Sequence, residues 1–452
     1  MTDRLHNWLF RPIDNSPLIA WRILYGLVLF GEFFGALVTG WVTETLVEPV
    51  FTFNFIGFEF LQVLVGPGMY AYYGVMAILA LFVAVGYRYK WSMGILSVMW
   101  LAVYLMQKSH YNNHYYLMVL LNFSCLLMPL HHYASVDVRR NPALKQLTCP
   151  NWCRWFYIIT LGVVYTYASI AKMYPDWFNA IPLTIWFKAK ADMPILGPLL
   201  QEEAFVYLIS YGGVFFDLLV VPMLLWRPTR WIAVGLSATF HLFNSVVFGI
   251  GTFPYTMLSM LVFFFPPASI RKLFFRKKPL PDLKVSVPAW NPLQKLVVAS
   301  LGMFFLVQIL LPLRHHLYPG NVHWTEEGHR LAWHMMLRAK GGSATVRVED
   351  TSTGKSWRVR TSDFLTRNQA RKFVTRPEMA WQFAQHLETH YRQQGIEDVA
   401  VYVNARVRLN GRKPMPLIDP EVDLTSVEWD PIRPSSWILP LPEGLEPQVN
   451  QR

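Results

Sequence analysis

Polar and ionisable side chains interrupt four otherwise apolar stretches of this sequence. They are Asn112, Asn113 and His114, then Lys172, then Asp217, and finally His241 with Asn244. Ionisable residues inside membrane segments are costly and are usually functional or directed to the protein interior. A buried amine can act as a general base, because burial disfavours its ammonium form. A pocket lined by an amine, imidazoles and carboxamides suits an amphiphilic substrate that enters from the bilayer.

Each of these residues also has an ordinary structural explanation. Lys172 can be a lysine at a helix end that extends its amine to the membrane surface. His114 can be an interfacial histidine, and His241 can bond to a carbonyl one helical turn earlier. Asp217 can pair with a neighbouring helix, and Tyr165 can belong to an interfacial aromatic belt. Single residues do not decide between these explanations.

The composition indicates a membrane protein. Of the 452 residues, 53% are apolar and only 15% are charged, against roughly 25% charged in an average soluble domain. Long uncharged runs fill residues 1–313, whereas residues 314–452 have the composition of a soluble domain. We therefore predict a polytopic, mainly α transmembrane domain over 1–313 and a mainly β (α+β) outer domain over 314–452.

Nine segments are long and apolar enough to be predicted as spans of about 20 residues. The first carries no cleavage pattern, so we expect it to remain as a span. The predicted spans are residues 17–39, 68–87, 91–107, 114–131, 155–172, 205–226, 231–248, 252–266 and 293–313.

Basic residues gather on alternate connections between these spans. Segments such as 139–154 and 271–284 are rich in Lys and Arg, whereas the 40–67 connection has none. Because basic loops remain in the cytoplasm, the N-terminus is predicted to be cytoplasmic and the C-terminal domain to lie outside. The same bias explains the net charge of +12 without nucleic-acid binding. This topology brings His114, Lys172 and His241 to one depth near the outer face.

Local patterns predict further elements on the outer side. The apolar segment 49–65 is expected to lie on the membrane face, to form a lid, or simply to pack on the bundle. A hairpin is predicted around residues 352–354, a helix over 377–392, and a strand over 398–410. No metal site is predicted, because Cys149 and Cys153 lack a second ligand pair.

Six collinear segments across about 430 residues resemble the vitamin K-dependent γ-glutamyl carboxylase family. In the membrane part they are KSHYNNHYYLMVLL followed by HHYASVD, then YASIAKMYPDW, and then YGGVFFDLLV with ATFHLFNSVVFGIGTFPYTML. In the outer part they are NVHWTEEGHRLAWHMMLR, IDPEVD and WDPIRPSSWILPLP. The chain is similar to short, bacterial-type members with an HTTM-like membrane domain.

The resemblance implies an enzyme, a carbon–carbon lyase coupled to epoxidation. It would oxidise reduced vitamin K, a phylloquinol or menaquinol, with O2 and add CO2 to peptide glutamate. Lys172 would be the catalytic base and His114 its partner at the same centre. The residues implied to bind substrate or cofactor are Asn112, Asn113, Asp217, His241 and Asn244. The implied partners are a glutamate-containing peptide or protein, the lipid bilayer and a quinone epoxide reductase.

Two departures from the family pattern leave alternatives open. Vertebrate-like enzymes have paired lysines where this chain has Ala171-Lys172, and they continue further beyond the Trp437 motif. We therefore expect a bacterial inner membrane protein with its outer domain in the periplasm, although an organelle lumen remains an alternative. The competing functions are a quinol epoxidase that does not carboxylate glutamate and a non-catalytic quinone-binding or transport module. Asp176 also follows Lys172 closely, and Pro175 decides whether the two can pair.

Overall fold

The chain folds into a helical part followed by a part that contains a β-sheet. The computed structural model describes residues 2–448 except 285, 286 and 288. Residues 449–452, the end of the predicted outer domain, lie outside the described residues. The order of a helical region before an α+β region agrees with the fold class predicted from composition.

Helices build most of the N-terminal part. In chain order they are α1 (Thr2–Phe10), α2 (Ser16–Val38), α3 (Gly68–Val85), α4 (Tyr89–Met106), α5 (Asn113–Leu127), α6 (Asn151–Lys172), α7 (Ile181–Lys188), α8 (Glu203–Leu225), α9 (Arg230–Phe248), α10 (Phe253–Ser259), α11 (Pro267–Phe274) and α12 (Pro292–Leu313). Shorter helices are Val136–Arg140, Pro175–Phe178 and Leu196–Gln201. Strands β1 (Pro12–Asp14) and β2 (Thr148–Pro150) pair antiparallel beside the bundle.

The predicted nine spans are only partly supported. Among the described residues, five helices are long and apolar enough to cross a membrane: α2, α3, α8, α9 and Pro292–Leu317. A sixth arises if Phe253–Phe264 and Pro267–Phe274 form one span, although they are bent by 117°. The other three predicted spans, α4, α5 and α6, are helical but do not meet both criteria. Because α5 and α6 carry His114 and Lys172, their polarity fits an interior position.

The ends of α5 and α6 place four predicted site residues at or near helix termini, namely Asn112, Asn113, His114 and Lys172. Asn112 caps α5, because its Oδ1 accepts the backbone N–H of Tyr115 at 2.8 Å. This bond satisfies one of the donors that a helix N-terminus leaves free. Helix α6 ends at Lys172, and Pro175 begins the next short helix. His114 therefore lies in the first turn of α5 and Lys172 in the last turn of α6.

Close packing between α2, α3 and α5 fixes the bundle behind these residues. A Cβ added to Gly26 of α2 would lie 2.6 Å from the backbone nitrogen of Ala84 in α3, so the two backbones touch. Trp21 and Tyr25 stack with ring centroids 4.5 Å apart. The Tyr25 hydroxyl donates to Oδ1 of Asn122 at 2.8 Å and so links α2 to α5 inside the bundle.

The C-terminal part contains one antiparallel sheet in the order β4-β3-β5-β6. Its elements are β3 (Lys340–Asp350), β4 (Lys355–Val359), β5 (Val399–Leu409), β6 (Met415–Pro416), α13 (Arg367–Phe373) and α14 (Pro377–Arg392). The hairpin predicted around 352–354 joins β3 to β4, and Gly354 adopts the left-handed φ of 69° that suits glycine. From residue 403 onward, buried and exposed residues alternate along β5, as expected for a strand with one face on the core.

The apolar segment 49–65 has two different environments. Phe53 is fully buried in the core of the C-terminal part, and Phe51 stacks on His386 with centroids 4.3 Å apart. Phe60 and Val63 are instead 67% and 84% exposed. The segment therefore packs on the C-terminal part at one end and presents an apolar surface at the other.

Candidate functional site

One cavity of about 390 Å³ lies where α5, α6, α8 and α9 meet the C-terminal part. Its size is within the range of small-molecule sites, roughly 300–1,000 Å³. Every site residue predicted from the sequence lines this cavity: Asn112, Asn113, His114, Lys172, Asp217, His241 and Asn244. Four segments that are far apart in sequence therefore converge, while the chemical roles of their residues remain predictions.

Lys172 is held in a buried ion pair. Its Nζ lies 2.5 Å from Oδ2 of Asp217 and donates to the Ala168 carbonyl at 3.1 Å. The amine also lies 5.7 Å from the ring centre of Trp177. Both side chains of the pair are less than 10% exposed. Lys172 therefore does not extend to the membrane surface, and its charge is compensated inside the protein.

Asp176 pairs with Arg412 and not with Lys172, although it lies only four residues after Lys172. Its carboxylate makes a two-point contact with the Arg412 guanidinium, with distances of 2.5 and 2.9 Å. Asn410 donates to the same carboxylate at 2.8 Å. Because Pro175 starts a new helix, the Asp176 side chain is directed to the C-terminal part. Asp176 thus joins the two parts of the molecule beside the site.

His114 has an aromatic environment. Its ring stacks on Phe253 with centroids 5.2 Å apart, and the neighbouring Tyr115 ring lies at 5.3 Å in an edge arrangement. Its imidazole makes no hydrogen bond to the part of the chain that the structure describes. Both ring nitrogens therefore remain available for a bound molecule.

His241 pairs with Tyr165 across α9 and α6. Its Nε2 lies 2.8 Å from the Tyr165 hydroxyl, and the alternative bond to a carbonyl one turn earlier is not made among the described residues. Its Nδ1 is buried and has no partner among the described residues. Tyr165 is buried and lines the cavity, so the alternative of an interfacial aromatic belt does not apply to it. The unpaired Nδ1 is a polar atom to which a ligand can hydrogen-bond.

The asparagines line the cavity but have different local contacts. The Oδ1 of Asn112 caps α5, as described above. Asn113 Nδ2 donates to the backbone oxygen of His334 at 2.8 Å and so joins α5 to the C-terminal part. Asn244 makes no hydrogen bond within the described chain and is therefore available to a ligand. Capping and joining explain Asn112 and Asn113 without a direct contact to substrate.

The C-terminal part supplies a second wall that was not predicted from the sequence. Its ionisable residues in the cavity are Glu326, His329, His334, Arg338, Lys340, Lys372 and Arg376. Five of these lie in residues 326–340, a stretch in which no site residue was predicted although it resembles the carboxylase family. The density of charged and imidazole side chains there was the available signal.

Glu326 balances part of this charge. Although burial raises its pKa, Arg338 and Lys340 hold the pKa of Glu326 well below its usual value. Arg338 bonds to both carboxylate oxygens, and Lys340 Nζ lies 3.2 Å from Oε1. Burial lowers the pKa of Lys340 to about 8, against the opposing effect of Glu326. Glu326 is therefore an ionised carboxylate that orders two cations on the wall that the C-terminal part supplies, which is the outer wall of the cavity.

Buried contacts fasten the two parts of the molecule around the cavity. The Glu378 carboxylate pairs with Lys108, which is fully buried, and with Arg330. The Tyr174 hydroxyl, two residues beyond Lys172, donates to the backbone oxygen of Leu337. These contacts set the position of the outer wall relative to the helix ends.

Comparison with known families covers both parts of the chain. The family profile of the HTTM domain matches residues 10–268. The profile of the vitamin K-dependent gamma-carboxylase lumenal domain matches residues 293–444. No solved structure matches the chain. The first match spans more than half of the chain, and the second includes the outer wall of the cavity. By these matches, the chain is a multi-pass membrane protein that belongs to the HTTM-domain, vitamin K-dependent γ-glutamyl carboxylase family.

Proposed function

We propose that this protein oxidises a reduced vitamin K or menaquinol to its epoxide with O2 and couples that reaction to carboxylation of peptide glutamate. The observation that carries the proposal is the buried Lys172–Asp217 pair in one cavity with His114 and His241. Membership of the carboxylase family supports the same reaction.

The lining of the cavity fits a quinol ring. Trp177, Phe240 and Phe253 supply apolar faces, while His241 Nδ1 and the His114 imidazole supply unpaired polar atoms. Ligand sites commonly combine such apolar walls with a few convergent polar groups. A ring with two oxygen substituents suits this combination, and its apolar tail suits the membrane.

Lys172 is proposed to release its ammonium proton to water before the quinol reacts and then, as a neutral amine, to accept the proton of the quinol hydroxyl. The ammonium that results is stabilised by the Asp217 carboxylate, the Ala168 carbonyl and the Trp177 ring. His114 is proposed to hydrogen-bond to the quinol oxygen and so stabilise its developing negative charge. Lys172 therefore acts with Asp217 as a pair, in contrast to the isolated amine considered from sequence alone.

The quinol, once oxidised by O2, supplies the strong base that the carboxylation requires. In the balanced overall reaction, quinol, O2, CO2 and a glutamate side chain give the quinone epoxide, water, γ-carboxyglutamate and one proton. The protein residues bind, orient and exclude water from this chemistry. A glutamate-containing peptide is the proposed partner, and a quinone epoxide reductase is the proposed source of recycled quinol.

The proposed arrangement in the membrane keeps the predicted topology. Residues 1–313 form the membrane domain, in which α4, α5 and α6 add to the more apolar helices to give nine spans. Residues 314–452 are proposed as the outer domain, with the N-terminus in the cytoplasm and the C-terminal domain in the periplasm of a bacterial inner membrane. The alternation of basic connections supports this orientation.

The test uses the full chain in nanodiscs with reduced vitamin K, O2, labelled bicarbonate and a short glutamate peptide. Epoxide and fixed label are measured in the same reaction. Formation of both products is the expected result. Epoxide without fixed label would replace the proposal with a quinol epoxidase. Quinone binding without either product would replace it with a non-catalytic binding module.

A further inference from the structure

The outer wall of the cavity carries more positive than negative charge. Arg338, Lys340, Lys372 and Arg376 contribute cations from the C-terminal part, and Glu326 is its carboxylate in the lining. The opposite wall adds no surplus, because Lys172 and Asp217 pair with each other. The cavity therefore has a neutral membrane end and a cationic outer end.

Within the described residues, Lys372 and Arg376 are the cations of this wall that form no ion pair. Arg338 and Lys340 are already ordered by the Glu326 carboxylate. Arg376 donates to a backbone carbonyl at 3.4 Å, and Lys372 has no ion pair or hydrogen bond from its amine within the described residues. A partly buried cation is costly unless an anion pairs with it. These two side chains are therefore the part of the wall that lacks a counter-charge.

The lowered pKa of Lys372 agrees with the absence of a counter-charge beside it. Arg376 and burial together lower the pKa of Lys372 to about 7. A nearby like charge acts in this direction because it disfavours the ammonium form. A bound anion would relieve the repulsion between the two cations.

We propose that Lys372 and Arg376 bind the side-chain carboxylate of the glutamate that is to be carboxylated. This inference rests on the proposed function, since it names how the same cavity recognises its second substrate. Guanidinium and ammonium groups bind carboxylates through charge-assisted hydrogen bonds. Both residues line the cavity that Lys172 lines, so the bound side chain shares the space in which the quinol reacts.

A second anion, bicarbonate, could bind the same two cations. Bicarbonate is also a small oxyanion, and it accompanies the CO2 that the reaction consumes. A glutamate side chain differs from it because replacement by glutamine removes the charge and keeps the shape. The binding of paired glutamate and glutamine peptides therefore distinguishes the two sources.

The experiment measures equilibrium binding of two peptides that differ only in Glu or Gln to the full chain in nanodiscs without O2. The variants are Lys372→Gln and Arg376→Gln, with Arg371→Gln as the matched control. Arg371 lies on the same helix, is exposed, and contacts Asn368. The wild type is expected to prefer the glutamate peptide by on the order of tenfold or more, as for a charge-assisted contact.

Either substitution at the proposed subsite is expected to abolish this preference without weakening the glutamine peptide. Arg371→Gln is expected to keep it. Equal binding of both peptides to the wild type, or equal loss in the control, would overturn the proposal. Lys372→Arg retains the charge and is expected to retain the preference, which separates charge loss from misfolding.

A bicarbonate arm uses the same variants under turnover conditions. A rise in the KM for bicarbonate, with the glutamate preference unchanged, would assign the subsite to bicarbonate and overturn the proposal. Failure of the proposed function has a different signature. In that case no epoxide forms, although the glutamate preference and its loss in Lys372→Gln are still measurable.

Discussion

The two ends of the cavity balance their charges differently. At the membrane end, Lys172 has Asp217 at 2.5 Å, and the imidazoles of His114 and His241 contact aromatic rings. At the outer end, neither Lys372 nor Arg376 forms an ion pair within the part of the chain that the structure describes. By our proposals, the membrane end binds a neutral quinol ring and takes up its proton, and the outer end binds an anion.

Removal of the proposed base should have the largest effect at the membrane end. We expect Lys172→Ala to lower epoxide formation by about 10² to 10⁴, the usual contribution of a general base. Epoxide is measured by chromatography after incubation with reduced vitamin K and O2. Lys145→Ala, in an exposed connection, is the control and should leave the rate unchanged. Normal epoxide output from a folded Lys172→Ala protein would contradict the proposed role.

Breaking the Lys172–Asp217 pair should test whether the membrane end depends on charge balance. Asp217→Asn leaves the ammonium without its carboxylate, so we expect about 3–5 kcal/mol lower stability. The double change Lys172→Met with Asp217→Leu removes both charges and should recover most of this loss without recovering activity. Stability is measured by reversible denaturation in detergent. A stable Asp217→Asn protein would mean that the pair contributes little.

The buried Glu378 contact should test how firmly the outer wall is held. Glu378→Gln removes the carboxylate shared by Lys108 and Arg330, and we expect about 3 kcal/mol lower stability. Glu388→Gln on the same helix is the control, because its Arg392 partner is 57% exposed. That exposed pair should contribute about 0.5 kcal/mol or less. Equal effects of the two changes would argue against a fastening role for Glu378.

The pH dependence of peptide binding should test whether the charge of Lys372 contributes to binding at the outer end. Because the pKa of Lys372 is lowered to about 7, its positive charge is present below that pH and is lost above it. Binding of a glutamate peptide should therefore weaken by up to about tenfold from about pH 6 to about pH 8.

Several charged groups around Lys372 shift its pKa and so affect the expected pH dependence of peptide binding. Arg371, Arg376 and Arg338 lower its pKa, and Glu326 opposes them. His110, across from α13, has a pKa lowered to about 4 by burial and so stays neutral in this range. Lys372→Gln should remove the pH dependence of binding. A dependence that persists in this variant would have to come from another group.

Asn112 should give the smallest effect and should separate capping from cofactor binding. Asn112→Ala removes the cap of α5, and we expect about 1 kcal/mol lower stability. Asn112→Ser retains a capping oxygen and should restore that stability. If Asn112→Ser is stable and yet loses quinol binding, the asparagine contacts the cofactor as predicted from the family. If it retains binding, the role of Asn112 is the cap.

Much of the fold followed from local sequence patterns. The alternation of residues 398–410 and the spacing of 377–392 predicted β5 and α14 closely, because a half-buried element imposes its period on the sequence. The helical segments were also predicted, although nine membrane spans were not confirmed. Hydropathy alone does not distinguish an interior helix such as α6 from a soluble one.

The site was predicted only in part. Lys172, Asp217 and His241 could be selected because polarity inside apolar segments is costly. The environment of Tyr165 could not be decided from the sequence, since an aromatic residue has the same type whether it faces lipid or a buried histidine. Lys372 and Arg376 were missed because basic residues in a soluble domain are ordinary.

The sequence by itself determined the order of an apolar helical part and an α+β part, most element types, and the polar residues that interrupt the apolar helices. The tertiary structure decided which of these residues meet. It paired Lys172 with Asp217 rather than Asp176, gave Asp176 to Arg412, and brought the outer cations to the same cavity. The physical reason is the distance along the chain between the residues that meet. Local sequence patterns reflect contacts within one helix or strand, whereas these contacts join residues that are 45 and 236 positions apart.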